Sequence, residues 1–371
     1  MKKTASCCGP ARDKTQGCCE VAEKRPGAPD GPSSHKPVQR VFPQWNLSDH
    51  LGRIGCRVSG LRMGYSVAPG LYALGEPGEK SDIFVSANYK LSFDILRRSL
   101  KGLNAWILVL DTKGINVWCA AGKGTFGTEE LVRRVHEAGL SGLVSHRRLI
   151  APQLGAPGIS AHEVRKRTGF RVYYGPVDAG DIRAYIDAGY KASEGMRAVR
   201  FPLIDRLALT PMEIIPSLKV YPLFALLMLF VFGLSPSGIV FRDALYWARP
   251  FLIMGLVSIL AGAFITPALL PFIPSRSFAI KGWLSGIAMI APAAWAFGLY
   301  HQTGVAATAF AFLFFPLAAS YIALQFTGST VFTGMSGVRK ELKFSVPVYA
   351  SAAFVSFVLL AIFKLEQWGV I

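Results

Sequence analysis

The chain has 371 residues, 40 Lys and Arg against 23 Asp and Glu, and 51% hydrophobic residues. That length accommodates two or three domains, and the crowding of apolar residues into the carboxyl-terminal part excludes a uniformly soluble globule. The formal net charge of +17 raises nucleic acid as a partner, but no recognition motif or aromatic-basic interleaving accompanies it, so nucleic acid is not expected. A domain tethered beside an anionic leaflet has a simpler reason to be basic.

MKKTASCCGP starts basic with no apolar run behind it and does not read as a signal peptide. Residues 1–45, rich in Gly, Pro, Ser and Lys, read as a disordered tail. The tail holds Cys7-Cys8 and Cys18-Cys19, four of the six cysteines. Vicinal thiols in a reducing compartment suit soft-metal or redox chemistry, and an incidental flexible tail is the plain alternative.

Residues 46–205 read as a cytoplasmic α/β domain. SDIFVSAN (81–88) is a strand, YKLSFDILRRSLKG a helix closed by Gly102, and AWILVLD (105–111) a fully apolar strand. Past GINVWCAAGKGTFG, Thr128 is expected to cap the helix TEELVRRVHEA, which ends at Gly139. RRLIAPQL is the next strand, and Ser160 with Glu163 forms a capping box for a helix ending at Gly169. RVYYGPV (171–177), the helix DIRAYIDAG and a last short strand MRAVRF (196–201) complete the set. Strands alternating with helices of about ten residues imply βαβ units, a parallel sheet and a Rossmann-like fold.

Residues 206–217 read as a linker and 218–371 as an all-α transmembrane domain of five helices. The apolar stretches 220–234, 250–273, 282–300, 305–326 and 346–363 reach or approach the roughly 20 residues that cross a hydrocarbon core. Nine of the 40 basic residues lie beyond residue 214. With the amino terminus inside, Arg276, Lys281, Arg339, Lys340 and Lys343 are cytoplasmic, and only Arg242 and Arg249 lie outside. The expectation is a multi-pass protein of the cell inner membrane, N-in and C-out. The spans hold almost no ionisable groups, so an anchor or docking platform is favoured over a pump.

In a sheet of this kind a ligand sits beyond the carboxyl ends of the strands. Those ends include Ser86, Asn88, Thr112, Gly175 and Pro176, and the segment carrying Cys119 grows out of one of them. Cys119 is therefore expected over the crevice, while Cys56 reads as an inert core thiol. Gly122, Gly124 and Gly127 match GxGxxG, but ten residues separate Asp111 from Gly122 and no acidic residue follows at the ribose distance. A membrane transporter or sensor with a nucleotide-binding α/β domain remains the alternative.

NVWCAAGK (116–123), preceded by WILVLDTKGI and followed by GTFGT, resembles the cap-helix motif of the corrinoid protein of the microbial mercury-methylation pair. That family is in turn similar to the large subunit of the corrinoid iron-sulfur protein. The resemblance covers roughly residues 45–371 and leaves the cysteine-bearing tail outside. It implies an enzyme, a membrane-anchored corrinoid-dependent methyltransferase that passes a cobalt-bound methyl group to Hg(II). It implies Cys119 as the lower axial ligand of the cobalt. Asn116 caps the short helix, Ala120 and Ala121 leave room for the corrin, and Val117, Trp118, Gly122 and Lys123 complete the cap. Ser86, Asn88, Ser92, Thr112, Gly175, Pro176 and Ala179 are the expected rim. The implied partners are a ferredoxin-like protein with two 4Fe-4S clusters, a methyl-donor protein of one-carbon metabolism and membrane lipid. With Hg(II) as acceptor, Cys7, Cys8, Cys18 and Cys19 become candidate capture ligands, because adjacent thiolates suit a linear two-coordinate ion.

Overall fold

The computed structural model describes residues 38–371 except 237, 300–302, 329, 331, 332 and 334; the four tail cysteines lie outside the described residues. The α/β region contains β1 (Gln39–Val41), α1 (Leu47–Val58), β2 (Gly70–Leu74), β3 (Ile83–Ala87), α2 (Lys90–Ser99) and β4 (Ala105–Leu110). It continues through α3 (Val117–Lys123), α4 (Thr128–Glu137), α5 (Leu140–Leu143), β5 (Arg148–Ala151), α6 (Ala161–Thr168), β6 (Arg171–Tyr174), α7 (Ile182–Asp187) and α8 (Glu194–Arg197). The sheet order is β1-β2-β4-β3-β5-β6.

Apolar side chains at period two give this sheet two buried faces. Ile83, Val85, Trp106 and Leu108 pack with Leu131, Val135 and Val164 under α4 and α6. Their alternates Phe84, Ile107 and Val109 pack with Phe93, Ile182 and Tyr185 under α2 and α7. All eleven residues of β3 and β4 are buried, as central strands between two helical layers must be.

Several expectations change. The sheet is mixed, because β2 runs antiparallel to β4, and β1 forms within the stretch assigned to the tail. MRAVRF is not a strand: Ser193 caps the one-turn α8 by accepting from the Met196 amide. Gly127, not Thr128, is the cap of α4. The Thr128 hydroxyl instead accepts from the Ser160 amide at 2.8 Å, and Ser160 makes no side-chain cap on α6, so the expected capping box is replaced by a tie between two helices.

The amino-terminal segment is fastened to α2 by a square of charges. Lys90 Nζ meets Asp49 Oδ1 and Asp94 Oδ2, each at 2.6 Å, and Arg97 meets Asp49 at 2.6 Å and Asp94 at 2.8 Å. Arg97 Nη1 also donates to the carbonyls of Phe42 and Gln44. Each buried carboxylate thus has two cationic partners, which offsets its desolvation.

Residues 206–217, expected as a linker, are helical: α9 (Leu203–Leu209) leads into α10 (Pro211–Gly233). The buried Arg206 donates to the carbonyls of Pro267 and Ala268. A two-strand turn, β7 (Leu234–Ser235) and β8 (Gly238–Ile239), joins α10 to α11 (Phe241–Leu260), which runs through a π turn into α12 (Thr266–Ala268). α13 (Phe278–Ala296), α14 (Gly304–Gln325) and α15 (Met335–Gln367) follow. Five of these helical stretches are long and apolar enough to cross a membrane. α13 and α14 approach through glycine: a Cβ on Gly282 would lie 2.4 Å from Ala323 Cβ, and one on Gly286 2.7 Å from Pro316 Cα. Glu341 of α15 caps the start of α13, accepting from the amides of Phe278 and Ala279.

The charge square predicts acid lability. Burial alone would push the Asp49 carboxyl up, but hydrogen bonds from Lys90, the Asn46 amide and Arg97 outweigh it and hold the group at about 2. An unfolded aspartate titrates near ~3.9, so this contribution is fully present above about pH 4 and lost as pH falls through about 2. The thermal midpoint of the solubilised protein should stay level down to about pH 4 and then drop, with about 2 to 3 kcal/mol from this group. Asp49→Asn should have a lower midpoint at neutral pH and a shallower acid limb; an identical limb in both proteins would remove Asp49 from the account.

Candidate functional site

Strand β5 pairs with β3 rather than with the preceding β4, so chain progress across the sheet reverses at β3. Beyond the carboxyl ends of strands at such a switch point a crevice opens. A cavity of about 600 Å³ lies there. Phe84 to Ser86 of β3, Ile150 to Pro152 at the end of β5, and Gly175 to Val177 after β6 form its base. Cys56, Arg57 and Arg62 wall one side, Asn116 to Cys119 another, and Leu209, Met212, Gly328 and Thr330 of the helical region close over it.

Cys119 is placed by a chain of local constraints. Residues 112–115 form a turn closed by the Ile115 amide on the Thr112 carbonyl, with Lys113 and Gly114 at φ 57° and 71°. A lysine in the left-handed region is costly and persists only where neighbours fix it. Here Asn88 Oδ1 fixes it, accepting from the amides of Thr112 at 3.1 Å and Gly114 at 2.9 Å; the Thr112 hydroxyl lies 2.8 Å from the same oxygen. Asn116 then caps α3, its side chain accepting from the Cys119 amide at 2.9 Å. Gly124, at φ 80°, ends the helix after seven residues.

Of the expected site residues, Ser86, Ser92, Asn116, Val117, Trp118, Cys119, Gly175, Pro176 and Ala179 line the cavity. Asn88 and Thr112 are buried behind it and hold the loop. Ala120 and Ala121 face inward rather than toward the cavity. α3 packs on the turn Gln153–Gly158, and a Cβ on Gly158 would stand 3.3 Å from the Ala121 Cβ. The small Ala121 side chain lets α3 dock closely on that turn. Gly122 and Lys123 are exposed and off the cavity. Gly124 and Gly127 cap α3 and α4, so the GxGxxG letters spell two helix ends and not the first turn after a strand.

Cys56, Arg57, Arg62 and Tyr89 were not expected at the cavity. Cys56 is buried, as an inert thiol would be, yet it lines the wall. Burial, with the Cys56 thiol alongside, pushes the Tyr89 phenol above its ordinary value and keeps it protonated. No local pattern marks Cys56 and Arg57, because long-range contacts, among them the pairing of Asp49 with Lys90 and Arg97, bring α1 to the crevice. Among the described residues, no three His, Cys, Asp or Glu groups come together to hold a metal ion. Cys119 offers a single soft donor, which would suit a metal that brings most of its own ligands.

The family described as CO dehydrogenase/acetyl-CoA synthase delta subunit matches residues 59–186, the part of the α/β region that carries β2 to β6. The acetyl-CoA decarbonylase/synthase complex subunit gamma of Archaeoglobus fulgidus is 30% identical over 130 residues, 34% of this chain and 27% of that protein. The Methanothermobacter thermautotrophicus subunit gamma is 32% identical over 124 residues, 33% and 27% of the two chains. The corrinoid/iron-sulfur protein large subunit of Moorella thermoacetica is 27% identical over 120 residues, 32% and 26%. The chain thus spans about a quarter of the length of these relatives, and the long apolar helices lie outside the matched residues.

Replacing Asn88 by Ala leaves the Thr112 and Gly114 amides without their acceptor, while the Thr112 hydroxyl keeps the Ile115 carbonyl, at a cost of about 2 to 4 kcal/mol. Amide exchange across residues 112–120 should accelerate while exchange in β5 and β6 stays slow. Unchanged exchange in that turn would show that Asn88 does not hold α3.

Proposed function

We propose that the chain is a membrane-anchored, corrinoid-dependent methyltransferase whose methyl acceptor is Hg(II), giving methylmercury. The observation that carries the reading is Cys119, the one thiol of a short capped helix beside a cavity at the strand ends, in a domain similar to a corrinoid/iron-sulfur protein large subunit. When bound, a corrinoid supplies a cobalt centre that takes a methyl group from one partner and yields it to another.

The residues fit that group. Cys119 would hold the group by its one sulfur, and a thiolate there would donate more electron density than imidazole or water, favouring transfer to a soft electrophile. Asn116 fixes the helix that aims the sulfur, and Asn88 fixes the turn before it. Ser86, Gly175 and Pro176 lie in the base of the cavity, and Ser92 lines it with a hydroxyl.

Membrane anchoring is supported by the bare apolar faces of the long helices. Leu223, Leu226, Phe230, Phe354 and Phe357 are exposed, an arrangement that needs an apolar solvent. Arg206 meets the end of α12 and Gly328 lines the cavity, which supports reading the junctions that carry Arg276, Arg339 and Lys340 as near the α/β domain. That agrees with a cytoplasmic α/β domain in the inner membrane, N-in and C-out. A ferredoxin-like protein with two 4Fe-4S clusters is the proposed reductant, and a one-carbon carrier protein the proposed methyl donor.

The purified protein loaded with corrinoid should show an absorption spectrum of thiolate-ligated cobalt. In Cys119→Ala the corrinoid should remain in part, the thiolate signature should vanish, and methylmercury formation should fall by roughly 100-fold or more. Full methylation by the Ala protein would remove the ligand assignment, and failure of the wild type to bind any corrinoid would remove the function.

A further inference from the structure

Helix α1 is inverted relative to an ordinary surface helix. Its buried residues are Asp49, Gly52 and Cys56, whereas Leu47, Leu51, Ile54 and Val58 are exposed, Leu47 by 74%. At 3.6 residues per turn the four apolar residues fall within about 60° of arc, on the side opposite Asp49 and Cys56. A surface helix normally turns such a stripe toward the core. Here the charge square with Lys90 and Arg97 claims the inner side and leaves the stripe facing out. Phe42 and Leu61 extend the bare apolar surface at either end.

The surroundings of the stripe say what covers it. α1 packs against α10, and Arg62 Nη1 lies 3.6 Å from Met212 Sδ in the first turn of that helix. α10 itself is bare and apolar from Leu218 to Phe230. Along one flank stand His50, Arg53 and Arg98, all exposed, with the guanidinium carbons of Arg53 and Arg98 5.8 and 4.9 Å from the Trp45 ring centroid. An apolar stripe flanked by arginines and a tryptophan, beside a helix that enters a membrane, has the composition of an interfacial helix.

We propose that α1 lies in the membrane interface, with Leu47, Leu51, Ile54 and Val58 among the upper acyl chains and Arg53, Arg98 and Trp45 at the level of anionic headgroups. The inference rests on the reading of the long helices as membrane spans. Because Cys56 and Arg57 on the inner side of α1 line the cavity, the same helix holds one wall of the cavity against the leaflet.

The test uses the full chain in nanodiscs of phosphatidylcholine and phosphatidylglycerol containing a phosphatidylcholine with a photoreactive diazirine in its acyl chain. After illumination, labelled positions are mapped by mass spectrometry. Labels are expected at Leu51, Ile54 and Val58 as well as on the bare face of α10. In the doubly substituted Leu51→Asp, Ile54→Asp protein, α1 labelling should fall roughly ten-fold while α10 labelling is unchanged. Labelled α10 with α1 at the level of the sheet-packed α4 would overturn the proposal and leave the membrane reading standing. No label on either helix would overturn both.

Discussion

Strand β4 is laid down on one side of β3 and β5 on the other, and the arrangement of the candidate site follows from that reversal. Right-handed crossovers moving in opposite directions put their helices on opposite faces of the sheet. α2 accordingly covers the face of Phe84 and Ile107, and α4 and α6 cover the face of Val85 and Leu108. Between the two sets no helix can follow β3 and β5 together, so their carboxyl ends stay uncovered. The β4–α3 connection has to cross that opening, which is why a short helix and its cysteine stand at the edge of the cavity.

Much of this was legible because the strands that build the site are apolar runs. β3, β4, β5 and β6 lie within the segments expected for them, and the position of Cys119 followed from counting past the end of β4. The outer part of the sheet was not legible. GLYAL of β2 opens on glycine and carries no β-branched residue, and β1 has three residues in a polar stretch; β2 pairs with the edge that β4 offers, and β1 in turn with β2. MRAVRF has strand-like residues, but Ser193 satisfies the Met196 amide locally and a helical turn costs less. The Ser160–Glu163 pattern failed because a distant hydroxyl, that of Thr128, took the amide first.

The wall and roof of the cavity were out of reach of sequence for a different reason. Cys56 and Arg57 arrive through ion pairs that span more than forty residues, and Gly328 and Thr330 arrive through the packing of helices that begin more than a hundred residues after β3. Small residues show the same limit. Ala120 and Ala121 looked like clearance for a ligand, yet their partner is the turn holding Gly155 and Gly158, where a Cβ on Gly155 would stand 2.4 Å from the Phe126 ring. A small residue records that something comes close; only the fold says what.

That the roof belongs to the helical region ties the two halves of the chain into one site. Leu209 and Met212 belong to α9 and the first turn of α10, and Gly328 to the short turn that follows α14. Arg206, in the short helix before Met212, is held by the carbonyls at the end of α12, and Glu341 of α15 caps the start of α13. The residues over the cavity are therefore the terminal turns of helices whose packing is fixed deeper down, by Gly282 and Gly286 against α14. A change in that packing moves the roof. The long helices thus act on the cavity as part of its enclosure, whatever else they hold in place.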